Sequence, residues 1–247
     1  LYYEKEDPTG WWMSEKLNGV RAYWNGEKFI SRLGNMFYAP EWFTEGLPSE
    51  PLDGELWLSR NRGSLPDTVS IVRSMGAGDR WKQLRYLVFD APSVEGPFET
   101  RLARVKELVE RAAYASAVEH QLCQSESHLN EELKRVEALG GEGLMLRQAG
   151  SLYEKGRSGT LLKVKSYYDA EGKVLEHKPG KGKHKGRLGA LVISLKNGET
   201  FDLGTGFTDE DRRNPPSIGA IITYQYTDLT LKGKPLCTRY VRVKENL

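Results

Sequence analysis

The strongest constraint on the fold is a change of pattern near residue 170. Before it, strand-like and helix-like stretches alternate; after it, only short strands remain. Leu102, Val105, Val109 and Ala112 recur at helical spacing within residues 99–113. Leu129, Leu133 and Val136 form a second stripe within 128–139, which Gly140-Gly141 stops. Strand-like runs fall at 20–24, 28–32, 52–58, 84–90, 143–147 and 160–165. Asn25-Gly26 between the first two favours a hairpin with a type I′ turn. The mixture lacks a strict βαβ rhythm and predicts an α+β domain with antiparallel sheets. Beyond the change, strands are expected at 174–177, 190–195, 199–203, 220–226 and 239–243, and a short helix at 208–213. Leu191, Ile193 and Leu195 alternate as one buried face, and Asn197-Gly198 turns a hairpin. Short strands over about 75 residues suit a small all-β barrel of the OB type.

Charge divides at the same place. Residues 171–247 carry 14 basic and 9 acidic side chains, whereas the longer first part carries 22 and 25. The predicted domains are therefore 1–168 and 169–247. The formal net charge of +2 excludes a protein that coats nucleic acid indiscriminately, but not a local basic track. Such a track exists at 178–187, Gly-rich and basic, and is expected to be a mobile loop. The 38% apolar content fits a folded globular chain, and no stretch reaches the roughly 18–20 apolar residues of a membrane span. Two cysteines, Cys123 and Cys237, cannot build a zinc ribbon or a disulfide framework.

Several short segments carry the chemistry. In Ser14-Glu15-Lys16-Leu17-Asn18-Gly19-Val20-Arg21 a lysine precedes a tight glycine turn and a strand. Burial or neighbouring cations there would favour a neutral amine, which can attack phosphorus. Asp53 and Glu55 share one strand face in Asp53-Gly54-Glu55. Glu142 opens the strand Gly143-Leu144-Met145-Leu146-Arg147, and Lys163-Val164-Lys165 puts two ammonium groups on one face. Each of these alone is an ordinary solvated face. Together they supply a nucleophile, carboxylates for a hard divalent cation and cations for phosphate oxygens, the parts that nucleotidyl transfer needs.

In this order the segments resemble the ATP-dependent DNA ligases, within the covalent nucleotidyltransferases that also include RNA ligases and capping enzymes. Lys16 to Arg21 matches K-x-D-G-x-R except at Asn18, which keeps an acceptor oxygen but lacks the carboxylate charge. Ser31-Arg32-Leu33-Gly34, Asp53-Gly54-Glu55, Val88-Phe89-Asp90, the run from Glu142 to Arg147 and Leu162-Lys163-Val164-Lys165 resemble the motifs that follow. Gly204-Thr205-Gly206-Phe207 and Pro215-Pro216-Ser217-Ile218-Gly219 resemble the OB segment of the small two-domain bacterial ligase E group. The segment from Gly233 to Arg242 departs from the family pattern, with Leu236 where arginine is common.

The resemblance implies an adenylation domain followed by an OB-fold domain, ATP and Mg2+ (or Mn2+) as cofactors, and nicked duplex DNA as partner. It implies lysyl-AMP on Lys16, transfer of AMP to a 5′-phosphate, and attack by a 3′-hydroxyl. Glu55 falls to the ribose and the metal, Glu142 to the metal, and Lys163 and Lys165 to the α-phosphate. Arg21 falls to the ribose or the nick, Phe89 to stacking on adenine and Ser14 to adenine through its backbone. Arg32 falls to the nick phosphate. For Phe89 the alternative is core packing, and for Arg32 a structural ion pair. Lys181, Lys183, Lys185 and Arg187 of the basic track are expected to contact DNA through its phosphates; a merely solvated loop is the alternative. The resemblance also implies a monomer, off the membrane, in a bacterium, and a periplasmic location, with the cytoplasm as the alternative and a removed leader as one of several explanations for the start at Leu1. Two other readings stand beside it: RNA ligation or capping by the same lysine, and a nucleic-acid-binding protein that has lost catalysis.

Overall fold

The computed structural model describes residues 3, 6–230 and 232–244, with the backbone alone at 62. Two compact units emerge, Leu1–Lys165 and Ser166–Leu247. The division falls slightly before the 168/169 boundary read from the charge, because Tyr168 already pairs with Tyr226 in the second unit's sheet.

The first unit contains, in chain order, β1 (Trp12–Glu15), β2 (Val20–Trp24), β3 (Phe29–Ile30), α1 (Glu41–Thr44), β4 (Leu52–Trp57), α2 (Leu65–Arg73), β5 (Arg85–Asp90), α3 (Phe98–Leu108), β6 (Ala115–Ala117), β7 (Gln121–Leu122), α4 (Glu126–Ala138), β8 (Leu144–Arg147) and β9 (Leu161–Val164). They form two sheets, ordered β3-β2-β4-β5-β6 and β7-β1-β8-β9. The ladders are antiparallel as expected, except that β6 runs parallel to β5. Helix α3 makes that crossover, a local βαβ unit.

Each sheet has its own core. Leu52, Leu56, Tyr86 and Val88 of the five-stranded sheet pack on Phe43 of α1, Ile71 and Val72 of α2, and Val105 of α3. The Tyr86 hydroxyl, fully buried, donates to Ala22 O and Leu52 O at 3.0 and 3.1 Å, so its burial leaves no polar group bare. On the four-stranded sheet Met13, Leu144, Leu146, Leu162 and Val164 meet Leu129, Leu133 and Val136, the stripe of α4. Ser125 caps α4 by accepting from His128 N–H. Helix α3 ends at Leu108, short of residue 113, and Val109 and Ala112 stay buried as the chain turns toward β6. Helix α2 carries no long stripe in the sequence; Pro66 in its first turn is its main signal.

The expected Asn25-Gly26 turn has a different form. Trp24 pairs with Phe29, leaving a four-residue loop in which Asn25 Oδ1 accepts from Glu27 N–H and Lys28 N–H. Asn25 is not left-handed, as a type I′ turn would require.

The second unit contains β10 (Tyr168–Pro179), β11 (Leu188–Ser194), β12 (Thr200–Leu203), α5 (Asp209–Arg213), β13 (Ile221–Tyr226), β14 (Asp228–Leu229), β15 (Pro235–Leu236) and β16 (Arg239–Val243). Five strands form one antiparallel sheet, β12-β11-β10-β13-β16, and β14 pairs with β15. Tyr240 N–H donates to Thr205 O at 2.9 Å, tying the chain after β12 to the far edge strand β16, the seam of an OB-type unit. Strand β10 is much longer than expected. Register shifts after Val174 and Lys178 break its alternation, so the sequence pattern shows only its middle. The basic track is a closed connection between β10 and β11 rather than an irregular loop. Gly180 N–H donates to Arg187 O at 2.8 Å around the 3-10 turn Gly182–His184.

Candidate active site

Lys16-Leu17-Asn18-Gly19 carries the chain from β1 in one sheet to β2 in the other. The turn read from the sequence is thus a crossing between sheets, and it places Lys16 where they meet. The Lys16 main-chain N–H donates to Gly143 O at 2.8 Å, which sets Lys16 next to Glu142. A Cβ at Gly143 would lie 2.3 Å from Val164 O, so only glycine lets the chain enter β8 this close to β9. Gly19 does the same on the other sheet, where a Cβ would lie 2.4 Å from Leu56 O. That close passage lets Gly19 N–H bond to the Glu55 carboxylate.

Glu142 is held by two ammonium groups. Lys16 Nζ donates to Oε2 at 2.5 Å, and Lys165 Nζ donates to Oε1. Strand β9 explains the second contact. Leu162 and Val164 are buried against the α4 side, so Lys163 and Lys165 share the opposite face. Ser14, Met145 and Lys163 lie in register across three neighbouring strands, and Ser14 is buried.

The charges perturb one another. Burial pushes the Glu142 carboxyl up, but Lys16 and Lys165 outweigh it and hold it below the usual range. For Glu55 burial wins: its pKa is pushed up to about 7 although the Lys16 and Arg21 charges oppose the rise, and the Glu142 charge adds to it. Burial, then the charges of Lys16 and Lys165, push Lys163 below the usual lysine range.

On the five-stranded sheet Arg21 Nε and Nη2 grip Asp53 Oδ1 and Oδ2 at 3.0 and 2.5 Å. The Arg21 guanidinium lies 5.9 Å from the centre of the Phe89 ring. Phe89 is half-buried and outside the core, since its neighbours Val88 and Asp90 take the inward positions of β5. Asp53, read from the sequence as an open carboxylate, is buried and occupied by Arg21. Glu55, Glu142, Lys16, Lys165 and Lys163 lie close enough to be coupled electrostatically.

Arg32 sits in the exposed turn 31–35, shaped by Ser31 Oγ accepting from Leu33 N–H and Asn35 N–H. Among the described residues it joins no ion pair. In the second unit Lys181, Lys183 and Lys185 are exposed, and Arg187 pairs with Asp209 at 2.9 Å.

Two features escape the sequence. Tyr153, in the loop after β8, donates its hydroxyl to Asp53 Oδ2 at 2.9 Å. Asp90 holds two arginines in the interior: Arg101 Nε at 2.7 Å and Nη2 at 3.2 Å, and Arg147 Nη2 at 3.3 Å. The partners lie 11 and 57 residues from Asp90, and no local period links them.

The donor set is that of a hard cation. Glu55 and Glu142 are two carboxylates beside several ammonium groups, and among the described residues no larger His, Cys, Asp and Glu cluster gathers. Mg2+ commonly uses one or two carboxylates and completes its shell with phosphate oxygens and water, so the pair fits such an ion once a nucleotide is bound.

Comparison with known proteins agrees with this arrangement. Residues 2–165 match the ATP dependent DNA ligase domain, and residues 179–244 match the DNA ligase OB-like domain. The chain belongs to the ATP-dependent DNA ligases and carries both an adenylation domain and an OB-like domain. A DNA ligase of Haemophilus influenzae is 38% identical over 245 residues, 98% of this chain and 90% of that one. A solved Lig E DNA ligase superposes with a TM-score of 0.86 at 39% identity, covering 98% of this chain and 96% of that one. The Chlorella virus DNA ligase-adenylate shares the fold, with a TM-score of 0.58 at 20% identity and coverage of 99% and 97%.

Proposed function

We propose that this ligase seals nicks in duplex DNA by charging Lys16 with AMP. The observation that carries this reading is Glu142 bridging Lys16 and Lys165 at the junction of the two sheets. Attack on the α-phosphorus of ATP needs the Lys16 amine neutral, and the proton it must shed already faces Glu142 Oε2. The Lys16 nitrogen then bonds to phosphorus, and pyrophosphate leaves with the electron pair of the broken P–O bond. The AMP passes to the 5′-phosphate at the nick, and the 3′-hydroxyl attacks that phosphate and expels AMP.

The remaining roles follow from position. Lys163 and Lys165 face the same side as Lys16 and offset charge on the α-phosphate. Arg21 and Glu55 line the ribose, Phe89 offers a ring face to adenine, and Ser14 presents its backbone to the base edge. Glu142 and Glu55 would hold Mg2+, which offsets negative charge on phosphate oxygens when bound. Arg32 contacts the nick phosphate. Lys181, Lys183, Lys185 and Arg187 contact the DNA backbone from the second unit. Action as a monomer in the bacterial periplasm belongs to the same reading, supported by family resemblance; sedimentation and cell fractionation test it.

The decisive experiment uses protein discharged with pyrophosphate, then incubated with α-labelled ATP and Mg2+. Covalent label on the wild type, none on Lys16→Ala, and sealing of nicked DNA but not of nicked RNA support the proposal. Label that persists in Lys16→Ala would sink it.

A further inference from the structure

Asp53 is almost fully buried, and the Arg21 fork engages both of its oxygens. The Tyr153 hydroxyl also donates to Asp53 Oδ2, from a loop 100 residues further along the chain. That loop does not depend on Asp53 for its shape. Ser151 O accepts from Arg101 Nη1 at 2.9 Å, and Glu154 Oε1 accepts from Ser158 Oγ and Thr160 Oγ1 at 2.6 and 2.7 Å. The bond from Tyr153 therefore constrains the carboxylate more than the loop. A carboxylate gripped by one guanidinium alone can swing with it; a second donor on Oδ2 fixes its plane. Fixing that plane fixes the Arg21 fork, and with it the guanidinium over the Phe89 ring.

We propose that Tyr153 is a positioning residue for the charging step, its hydroxyl holding Asp53 so that Arg21 stays aligned beside Phe89 where the nucleotide binds. The proposal rests on the reading that Arg21 and Phe89 face the nucleotide. Tyr153 acts through Asp53 and Arg21, so its loss weakens nucleotide binding and leaves the reacting atoms in place. Sealing of an already activated nick depends on it less, because that AMP is carried in on the DNA and need not be captured from solution.

The test is Tyr153→Phe, which removes the hydroxyl and keeps the ring. Charging is followed with α-labelled ATP across a range of ATP concentrations, and sealing is followed on a nick whose 5′ end already carries AMP. The KM for ATP should rise about fivefold to tenfold, the worth of one ordinary hydrogen bond, since Tyr153 acts on the nucleotide only through Asp53 and Arg21. The maximal charging rate, the sealing of the pre-adenylylated nick and the melting temperature should stay near wild type. An unchanged KM would overturn the proposal, and so would equal losses in both assays, which mark a structural role. If Tyr153→Phe lowers the melting temperature, Leu129→Ala in the other core is the control; an equal rise of KM in a variant destabilised there also overturns the proposal. A wild type that takes no label would instead defeat the underlying nucleotide reading, whatever Tyr153→Phe does.

Discussion

The first unit contains the same motif twice: one carboxylate held between two cations. Asp90 lies between Arg101 and Arg147, and Glu142 between Lys16 and Lys165. The first is sealed, with Asp90 and Arg101 both 0% exposed. The second is open, with Lys16 at 19% and Glu142 at 15%. Guanidinium stays charged and fills its fork, and this buried group ties β5 to α3 and β8. The Glu142 group is held by single points of charge and stands partly open, so an incoming substrate can reach it. On the proposed reading, chemistry falls where a carboxylate and its cations stay partly open to substrate, not where charge is most buried.

Exchanging the carboxylates one at a time can break that distinction. Asp90→Asn leaves two buried guanidiniums short of a counter-charge and should cost about 3–5 kcal/mol, read as a large drop in melting temperature. Glu142→Gln should barely move the melting temperature but lower the rate of label transfer to Lys16 by roughly a hundredfold. If Glu142→Gln unfolds the chain, or Asp90→Asn leaves it intact, the two groups are not divided as described.

A smaller effect is expected in the second unit. Replacing Lys181, Lys183 and Lys185 together by Ala should weaken nicked-DNA binding roughly tenfold at moderate salt and flatten the log–log salt slope by about two to three. An unchanged slope would remove the basic connection from the DNA-binding surface.

The smallest effect concerns Glu55. Its carboxyl pKa is raised in the folded state to about 7, so the native chain holds its proton more tightly than the unfolded one. Its contribution to stability is complete below the unfolded value and is lost as pH rises through the folded one. Glu55→Gln, which cannot ionise, should therefore melt a few degrees above wild type at pH 8 and match it at pH 4, with the gap opening between about pH 4.5 and 7. A gap that instead widens toward acid would show that the charges of Lys16 and Arg21 outweigh burial.

Much of this was legible from residue order. The stripe of α4, the face shared by Lys163 and Lys165, and the alternation of Leu191 and Ile193 all depend on neighbours a few residues apart, which periodicity reports directly. The bridge from Glu142 to Lys16 and Lys165 spans long stretches of chain; the sequence groups these residues in one site, but nothing in their spacing says that they pair. Strand β10 was largely hidden because its register shifts disrupt alternation. The capture of Asp53 by Arg21 was missed because the residue opposite Arg21 in the ladder is Glu55, and only side-chain geometry sends the guanidinium diagonally to Asp53. Arg147 reaches Asp90 from the other sheet, Tyr153 reaches Asp53 from the loop after it, and Arg101 reaches Asp90 from α3, contacts that no local period encodes.

The bond from Lys16 N–H to Gly143 O is made by main chain alone. Replacing the amine with an inert side chain would keep that mooring. A Lys16 variant should thus be a ready-made trap, an enzyme that still admits nucleotide yet cannot go forward, suited to capturing the first encounter in a crystal.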